Sequence, residues 1–215
     1  ESLSDEGKVT ALTLKYGNAF PAGYTSRYLA EQAVFDTVKI EETLQKQSLA
    51  LDLYRPADID EKHLRLKIYN LAQPLTLSDV LPILENMGLR VIAELPFEVK
   101  PQDAATAVWI QDLLLEAPAH LVGISVKDIK EKFETAFTNI WYGMMENDSL
   151  NALILGGKLD WREVIILRAY VRYMRQVRPT FSHAYIQNAL ILYPQISALL
   201  VSLFRSLLDP KTNGK

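Results

Sequence analysis

The chain has 215 residues, 49% of them hydrophobic and 23% charged, with a formal net charge of -3 and no cysteine. That length fits one or two modest domains at roughly 100 to 200 residues each, and the composition is that of a globular protein. The charge balance gives no pull toward a phosphate backbone or an anionic bilayer, and the missing cysteines exclude disulfides, thiolate metal sites and thiol nucleophiles. No apolar run reaches the roughly 18 residues of a membrane span and the first residues lack a signal pattern, so nucleic acid and membrane are not expected as partners. A cytoplasmic location suits the chain, and both ends read as fragment boundaries.

In chain order, Val9 to Tyr16 fits either a strand or a helix. Ala30 to Gln47 carries Val34, Val38, Ile40 and Leu44 among polar residues, which predicts an amphipathic helix. Leu49, Leu51 and Leu53 alternate as far as Arg55-Pro56. Leu64, Leu66 and Ile68 alternate with Arg65 and Lys67, the period of a strand with one wet face. Thr76-Leu-Ser78 can cap a helix through Val80, Leu81, Leu84 and Met87, with Gly88 where a left-handed terminal residue is wanted. Leu89 to Leu95 predicts a third strand, ended by Pro96, and Thr106 to Leu115 a fourth. The order α-β-β-α-β-β predicts a small antiparallel sheet with helices, an α+β layer.

From Ser125 onward every periodic stretch is helical. Ile129, Phe133, Phe137, Ile140 and Trp141 mark one helix. Asp160 followed by Glu163 predicts a capping box before a long helix with Trp161, Val164, Leu167, Val171 and Met174 on one face. Ser182 can cap the next helix. Pro194 opens the last, where Ile196, Leu199, Leu200, Leu203 and Leu207 are expected as the buried stripe. Breakers between Pro118 and Gly123 divide the chain into an α+β part, 1–118, and a helical part, 119–215.

Little in the sequence points to catalysis. There is neither a G-x-G-x-x-G turn nor a Walker-type loop, so no dinucleotide site is expected. Gly156-Gly157-Lys158 reads as an interhelical break before the cap at Asp160 rather than as a substrate segment. His63, His120 and His183 stand apart, without the spacing of a zinc site. The acid pairs Glu41-Glu42, Asp58/Asp60/Glu61 and Glu146/Asp148 read as solvated charge. Tyr142 to Asn151, with two methionines, reads as core contact and turn. Arg168, Arg172 and Arg175 form a basic stripe. It is either a solvated face or a dock for an acidic surface of a neighbouring domain, since guanidinium forks pair well with carboxylates.

Several strings carry a resemblance. Asn18-Ala-Phe-Pro-Ala-Gly-Tyr24, Leu77-Ser-Asp-Val-Leu-Pro-Ile-Leu-Glu-Asn-Met-Gly-Leu-Arg-Val91, Leu159-Asp-Trp-Arg-Glu-Val-Ile-Ile-Leu-Arg-Ala-Tyr170 and Leu203-Phe-Arg-Ser-Leu-Leu-Asp-Pro210 resemble the large bacterial NAD-specific glutamate dehydrogenases, in order and over nearly the whole chain. Trp109-Ile-Gln-Asp-Leu-Leu departs from that pattern, which has His-Asp-Phe after Trp-Ile. The resemblance implies a much longer subunit, of which this is the last ACT-like domain plus the start of a helical region. It favours a helix before Asn18 and implies a βαββαβ-like layer, with Thr106 to Leu115 supplying the strand that a helix-first order lacks.

The resemblance also implies oxidation of L-glutamate to 2-oxoglutarate, ammonium and NADH by the parent enzyme, with the catalytic lysine and the NAD fold elsewhere. No catalytic, cofactor or metal residue is therefore expected here. The expected role is regulatory and structural, with other domains and subunits of an oligomer as partners. The alternative is an amino-acid effector held near the turn Glu85-Asn86-Met87-Gly88, and the candidate docking residues are Arg168, Arg172 and Arg175.

Overall fold

The computed structural model describes residues 10–57, 59–102, 104–176 and 181–208, without the Arg175 side chain. Val9, Asp58, the Arg175 side chain, Asp209 and Pro210 lie outside the described residues. Helix α1 covers 10–16 within the described part, and a short α2 (Ala22–Thr25) leads to α3 (Ala30–Lys46). Then come β1 (Ala50–Tyr54), β2 (His63–Leu71), α4 (Leu77–Asn86), β3 (Arg90–Val99) and β4 (Val108–Glu116). A 3-10 turn at Ala119–Leu121 precedes α5 (Val126–Trp141). A second such turn (Ser149–Ala152) runs into α6 (Leu153–Gly156), followed by α7 (Trp161–Gln176), α8 (His183–Leu192) and α9 (Pro194–Leu208).

The four strands form one sheet in the order β1-β2-β4-β3. Its β2–β4 register is antiparallel: the Ala72 amide donates to the Ala107 carbonyl at 2.9 Å and the Ala117 amide to the Lys62 carbonyl at 2.8 Å. The last strand in sequence thus enters between β2 and β3, the interior place that a βαββαβ unit gives to its first strand. The expected α+β class, an ACT-like sheet with helices followed by a helical region, is what the chain forms.

Strand β3 does not stop at Pro96 but runs to Val99. Its place at the sheet edge explains this, because an edge proline need not donate a ladder hydrogen bond. At the opposite edge, the Leu53 amide donates to a Glu134 carboxylate oxygen at 2.8 Å, so one edge donor is covered by a side chain.

The chain divides into two compact units, one built on residues up to Asp52 with Arg65–Thr76 and Ala93–Leu114, the other on Leu53–Leu64, Leu77–Ile92 and residues from Leu115 on. The core of the first joins Tyr16, Tyr24, Ile40, Tyr69, Phe97, Val99 and Ile110, with Tyr28 and Phe20 partly buried against it. Tyr24 meets Phe97 edge-on at 5.4 Å between ring centroids, the favoured aromatic geometry.

Helix α3 forms where it is expected and buries Ile40, with Leu44 partly buried, but the two valines lie on the other face. Val34 and Val38 are 68% and 62% exposed, while Asp36, Thr37, Ile40 and Thr43 face inward. The inward carboxylate is satisfied: Asp36 accepts from the Tyr24 hydroxyl at 2.5 Å, the Tyr69 hydroxyl at 2.7 Å and Lys67 Nζ at 2.6 Å. Burial, with Asp36 beside it, pushes the Tyr69 phenol well above its ordinary range. A buried charge is tolerated when paired and hydrogen-bonded in this way.

In the second unit, Ile129, Phe133, Phe137 and Ile140 of α5 are buried as their spacing predicts. Helix α7 starts at the expected capping box: the Glu163 amide donates to Asp160 at 2.8 Å and the Asp160 amide to Glu163 at 2.7 Å. Ser182 accepts from the Tyr185 amide at 3.2 Å and so caps α8. The stripe expected inside α9 is not buried. Ile196, Leu199, Leu200, Leu203 and Leu207 are 44–68% exposed, and the buried residues of this helix are Pro194, Ser197 and Val201. The small Ser197, whose hydroxyl donates to the Leu190 carbonyl at 2.8 Å, lets α9 approach α8 on that face instead.

Candidate functional site

The C-terminus of α4 builds one candidate site. The Gly88 amide donates to the Glu85 carbonyl and the Leu89 amide to the Leu84 carbonyl, both at 2.9 Å, a Schellman closure with Gly88 at φ +85°. This closure turns the chain into β3, so Arg90 emerges one residue after buried Leu89. An open cleft of about 680 Å³ lies there, with Glu85, Gly88, Arg90, Lys62 and Glu116 among its lining residues.

Arg90 Nε donates to Glu116 Oε2 at 2.9 Å and its Nη2 donates to the same oxygen, while Lys62 Nζ lies 3.6 Å from Glu116 Oε1. The hydrogen bond from Arg90 holds the Glu116 carboxyl below the usual carboxylate range, with Lys62 and His63 adding to the effect. Two cations and two carboxylates on one shallow wall suit a small zwitterion, provided that it competes with the Arg90–Glu116 pair.

Of the four residues named from the sequence, Glu85 and Gly88 line this cleft. Asn86 is turned aside, its Nδ2 donating to Asn147 Oδ1 at 3.0 Å, and Met87 is fully buried. Lys62, Arg90 and Glu116 escaped sequence reading because they come together only through strand register. The one local hint was Arg90 two residues after the Gly88 stop.

The basic stripe separates into unlike members. Arg168 is 4% exposed and shares the buried face of α7 with Val164, Leu167 and Val171. Its Nε donates to Asp148 Oδ2 at 2.6 Å, and its Nη2 to Asp148 Oδ1 at 2.9 Å and Asn151 Oδ1 at 2.8 Å. Arg172 is exposed and pairs with the Glu146 carboxylate beside a cleft of about 590 Å³ that Met144, Met145 and Tyr173 also line. Arg168 and Arg172 therefore tie α7 to the Glu146–Asn151 turn, with Asp148 also accepting from the Leu150 amide at 3.1 Å.

The glycines at 156 and 157 end α6 under tight packing: a Cβ on Gly157 would meet the Leu153 carbonyl oxygen at 3.0 Å and Leu159 Cγ at 3.2 Å. Among the described residues, no three histidine, aspartate or glutamate side chains group as metal ligands.

Comparison with known proteins agrees with this architecture. Residues 1–42 match the family model described as glutamate dehydrogenase helical motif 2, residues 48–128 the glutamate dehydrogenase ACT3 domain, and residues 145–210 glutamate dehydrogenase helical motif 3. An NAD-specific glutamate dehydrogenase of Halomonas elongata is 42% identical over 205 residues, which are 95% of this chain and 12% of that protein. One of Pseudomonas aeruginosa is 37% identical over 201 residues and one of Mycobacterium tuberculosis 31% over 206, each match covering 94% of this chain and 12% of the relative. The chain thus spans about an eighth of the length of these relatives. With three matches in chain order and an antiparallel sheet between helical segments, the chain belongs to the NAD-specific glutamate dehydrogenase family, as a segment that carries its third ACT domain and adjoining helical motifs.

Proposed function

We propose that this chain is a non-catalytic regulatory and structural segment of a cytoplasmic, oligomeric NAD-dependent glutamate dehydrogenase, whose parent reaction converts L-glutamate, NAD and water to 2-oxoglutarate, ammonium and NADH. The observation that carries this reading is the continuous match of an ACT domain and two helical motifs to proteins named for that activity, over 12% of their length. The antiparallel sheet supports placing NAD elsewhere, because a dinucleotide site is built on a parallel strand, a glycine-rich turn and a helix. Among the described residues, no single helix is long and apolar enough to cross a membrane.

The test is kinetic. The isolated chain should form no NADH from glutamate and NAD, whereas removing residues 1–215 from the parent polypeptide should abolish or deregulate its NADH formation. Activity in the isolated chain, or a parent indifferent to the deletion, defeats the proposal.

The mixed-charge cleft favours a second reading, in which the segment senses an amino acid. The α-carboxylate would meet Arg90 and Lys62, and the ammonium would meet Glu85. Such a ligand regulates only by binding one state of the enzyme better than another. Thermal unfolding against a panel of amino acids and NAD tests this, since a ligand of the folded state raises the midpoint. A shift that Arg90→Gln removes supports an effector site; no shift with any amino acid leaves the cleft as scaffold.

A further inference from the structure

The helical end of the molecule exposes what a finished surface hides. Between His183 and Leu208 the sequence contains one Asp, Glu, Lys or Arg, namely Arg205, and that residue is turned back to Glu163 at 2.9 Å and Asp160 at 3.4 Å. No residue of α8 is buried, although six of its ten residues are alanine, isoleucine or leucine. Leu192, Ile196, Leu199 and Leu203 are 69%, 54%, 68% and 54% exposed. A groove of about 350 Å³ lies between α7, α8 and α9, walled almost entirely by carbon, with Met174 and Leu190 among its lining residues. Leu203 belongs both to the exposed row and to the groove wall, and exposed apolar side chains gathered in this way without a charged neighbour mark a docking site.

We infer that this face is covered by an apolar helical segment of the same polypeptide lying outside residues 1–215. The inference rests on the reading of the chain as a segment of a glutamate dehydrogenase. The relatives that it matches devote 12% of their length to this region, so most of such a polypeptide is available to cover it. A tethered occupant acts at an effective concentration of roughly millimolar for a short flexible link, which outcompetes a free second copy at ordinary protein concentrations. A bilayer fits less well. Helices α8 and α9 have 10 and 15 residues and meet at a 99° bend, whereas a spanning helix needs about 20. The occupant presents leucine-like side chains at helical spacing to the Ile196–Leu199–Leu203 row and pairs no charge with it.

The test exploits the absence of cysteine from this chain. Leu199→Cys and Leu203→Cys are placed singly in the isolated chain and in the full polypeptide, with Glu131→Cys at an exposed polar position as control. Maleimide labelling is followed by mass spectrometry of the peptide that carries each new cysteine. The expected result is labelling slowed by about tenfold or more at both positions in the full polypeptide, independent of its concentration, with the control unchanged. Equal labelling in the two contexts overturns the inference. So does protection lost on dilution, which would make the occupant a second copy, or protection that appears only with phosphatidylcholine vesicles.

A double variant, Leu199→Glu with Leu203→Glu, separates docking from function. Circular dichroism of the isolated chain should be unchanged while NADH formation by the full polypeptide falls. Protected cysteines together with unchanged NADH formation in the double variant support the docking and defeat the wider reading that this segment holds the catalytic part in place.

Discussion

Replacing Arg168 with leucine removes a guanidinium whose side chain is 5% exposed and whose fork meets both oxygens of Asp148. Removing one partner from a fully buried pair costs about 3–5 kcal/mol. The Asp148 side chain is 26% exposed, so water recovers part of its solvation and reduces this to about 2–3 kcal/mol. Asn151 is fully buried and loses the donor to its Oδ1, which adds about 1 kcal/mol. The sum is about 3 kcal/mol after a small return from leucine packing among Val164, Leu167 and Val171. Arg172→Leu is the control. That pair is 58% and 51% exposed, and its removal should cost less than about 0.5 kcal/mol. Urea unfolding followed by tryptophan fluorescence, with midpoint and slope fitted together, reads both values. An Arg168→Leu midpoint matching the wild type would refute the reasoning, and so would an Arg172→Leu loss of equal size.

Three further outcomes are expected. Asp36→Asn keeps one acceptor oxygen where Tyr24 and Tyr69 use two, and takes the carboxylate from Lys67, which is 3% exposed, so unfolding should show a loss of about 3 kcal/mol; a change below about 0.5 kcal/mol would contradict the buried-pair account. The Glu116 carboxyl is held below its ordinary range, so its pairing with Arg90 is present above the usual carboxylate range and lost as pH falls through the lower folded value. Carbon-detected NMR should show Glu116 titrating at higher pH in Arg90→Gln, and an unmoved midpoint would remove Arg90 as the cause. Gly88→Ala should cost about 1 kcal/mol in urea unfolding through φ +85° alone, because its Cβ would meet Ala152 Cβ at an ordinary 3.7 Å; a neutral result would mean that the turn tolerates other residues.

The elements most legible in the sequence are those fixed by local chemistry. The Asp160–Glu163 box, the Ser182 cap, the Gly88 stop and the Pro194 start each satisfy or remove a backbone group within three or four residues, and all four stand where the sequence placed them. The hairpin β1–β2 follows from alternation, and α5 follows from a helical period around Phe133. Long-range relations were less legible. The cleft around Glu85 needs Lys62 and Glu116, which are neighbours only because β2 and β4 pair antiparallel with Lys62 opposite Ala117. Arg168 looked like one of three equal surface charges, since spacing along a helix cannot show that Asp148 arrives from a turn 20 residues earlier.

Helices α3 and α9 misled for a common reason. Helical periodicity shows which residues share a face, but not which face meets this part of the chain. In α3 the Val34–Val38 row faces outward because the opposite face is needed for Asp36, whose ties to Tyr24, Tyr69 and Lys67 fix the helix rotation. Burying the valines instead would gain about 2–3 kcal/mol of apolar transfer for each side chain, but it would break a charge-bearing network worth at least as much. In α9 the leucine row is long and free of charge, yet Ser197 and Val201 make the local contact. A stripe so apolar and so regular is not explained by the contacts of residues 10–208. The expectation of a buried α9 stripe therefore fails for residues 10–208, and the docking inferred for this face is what would give such a stripe a use.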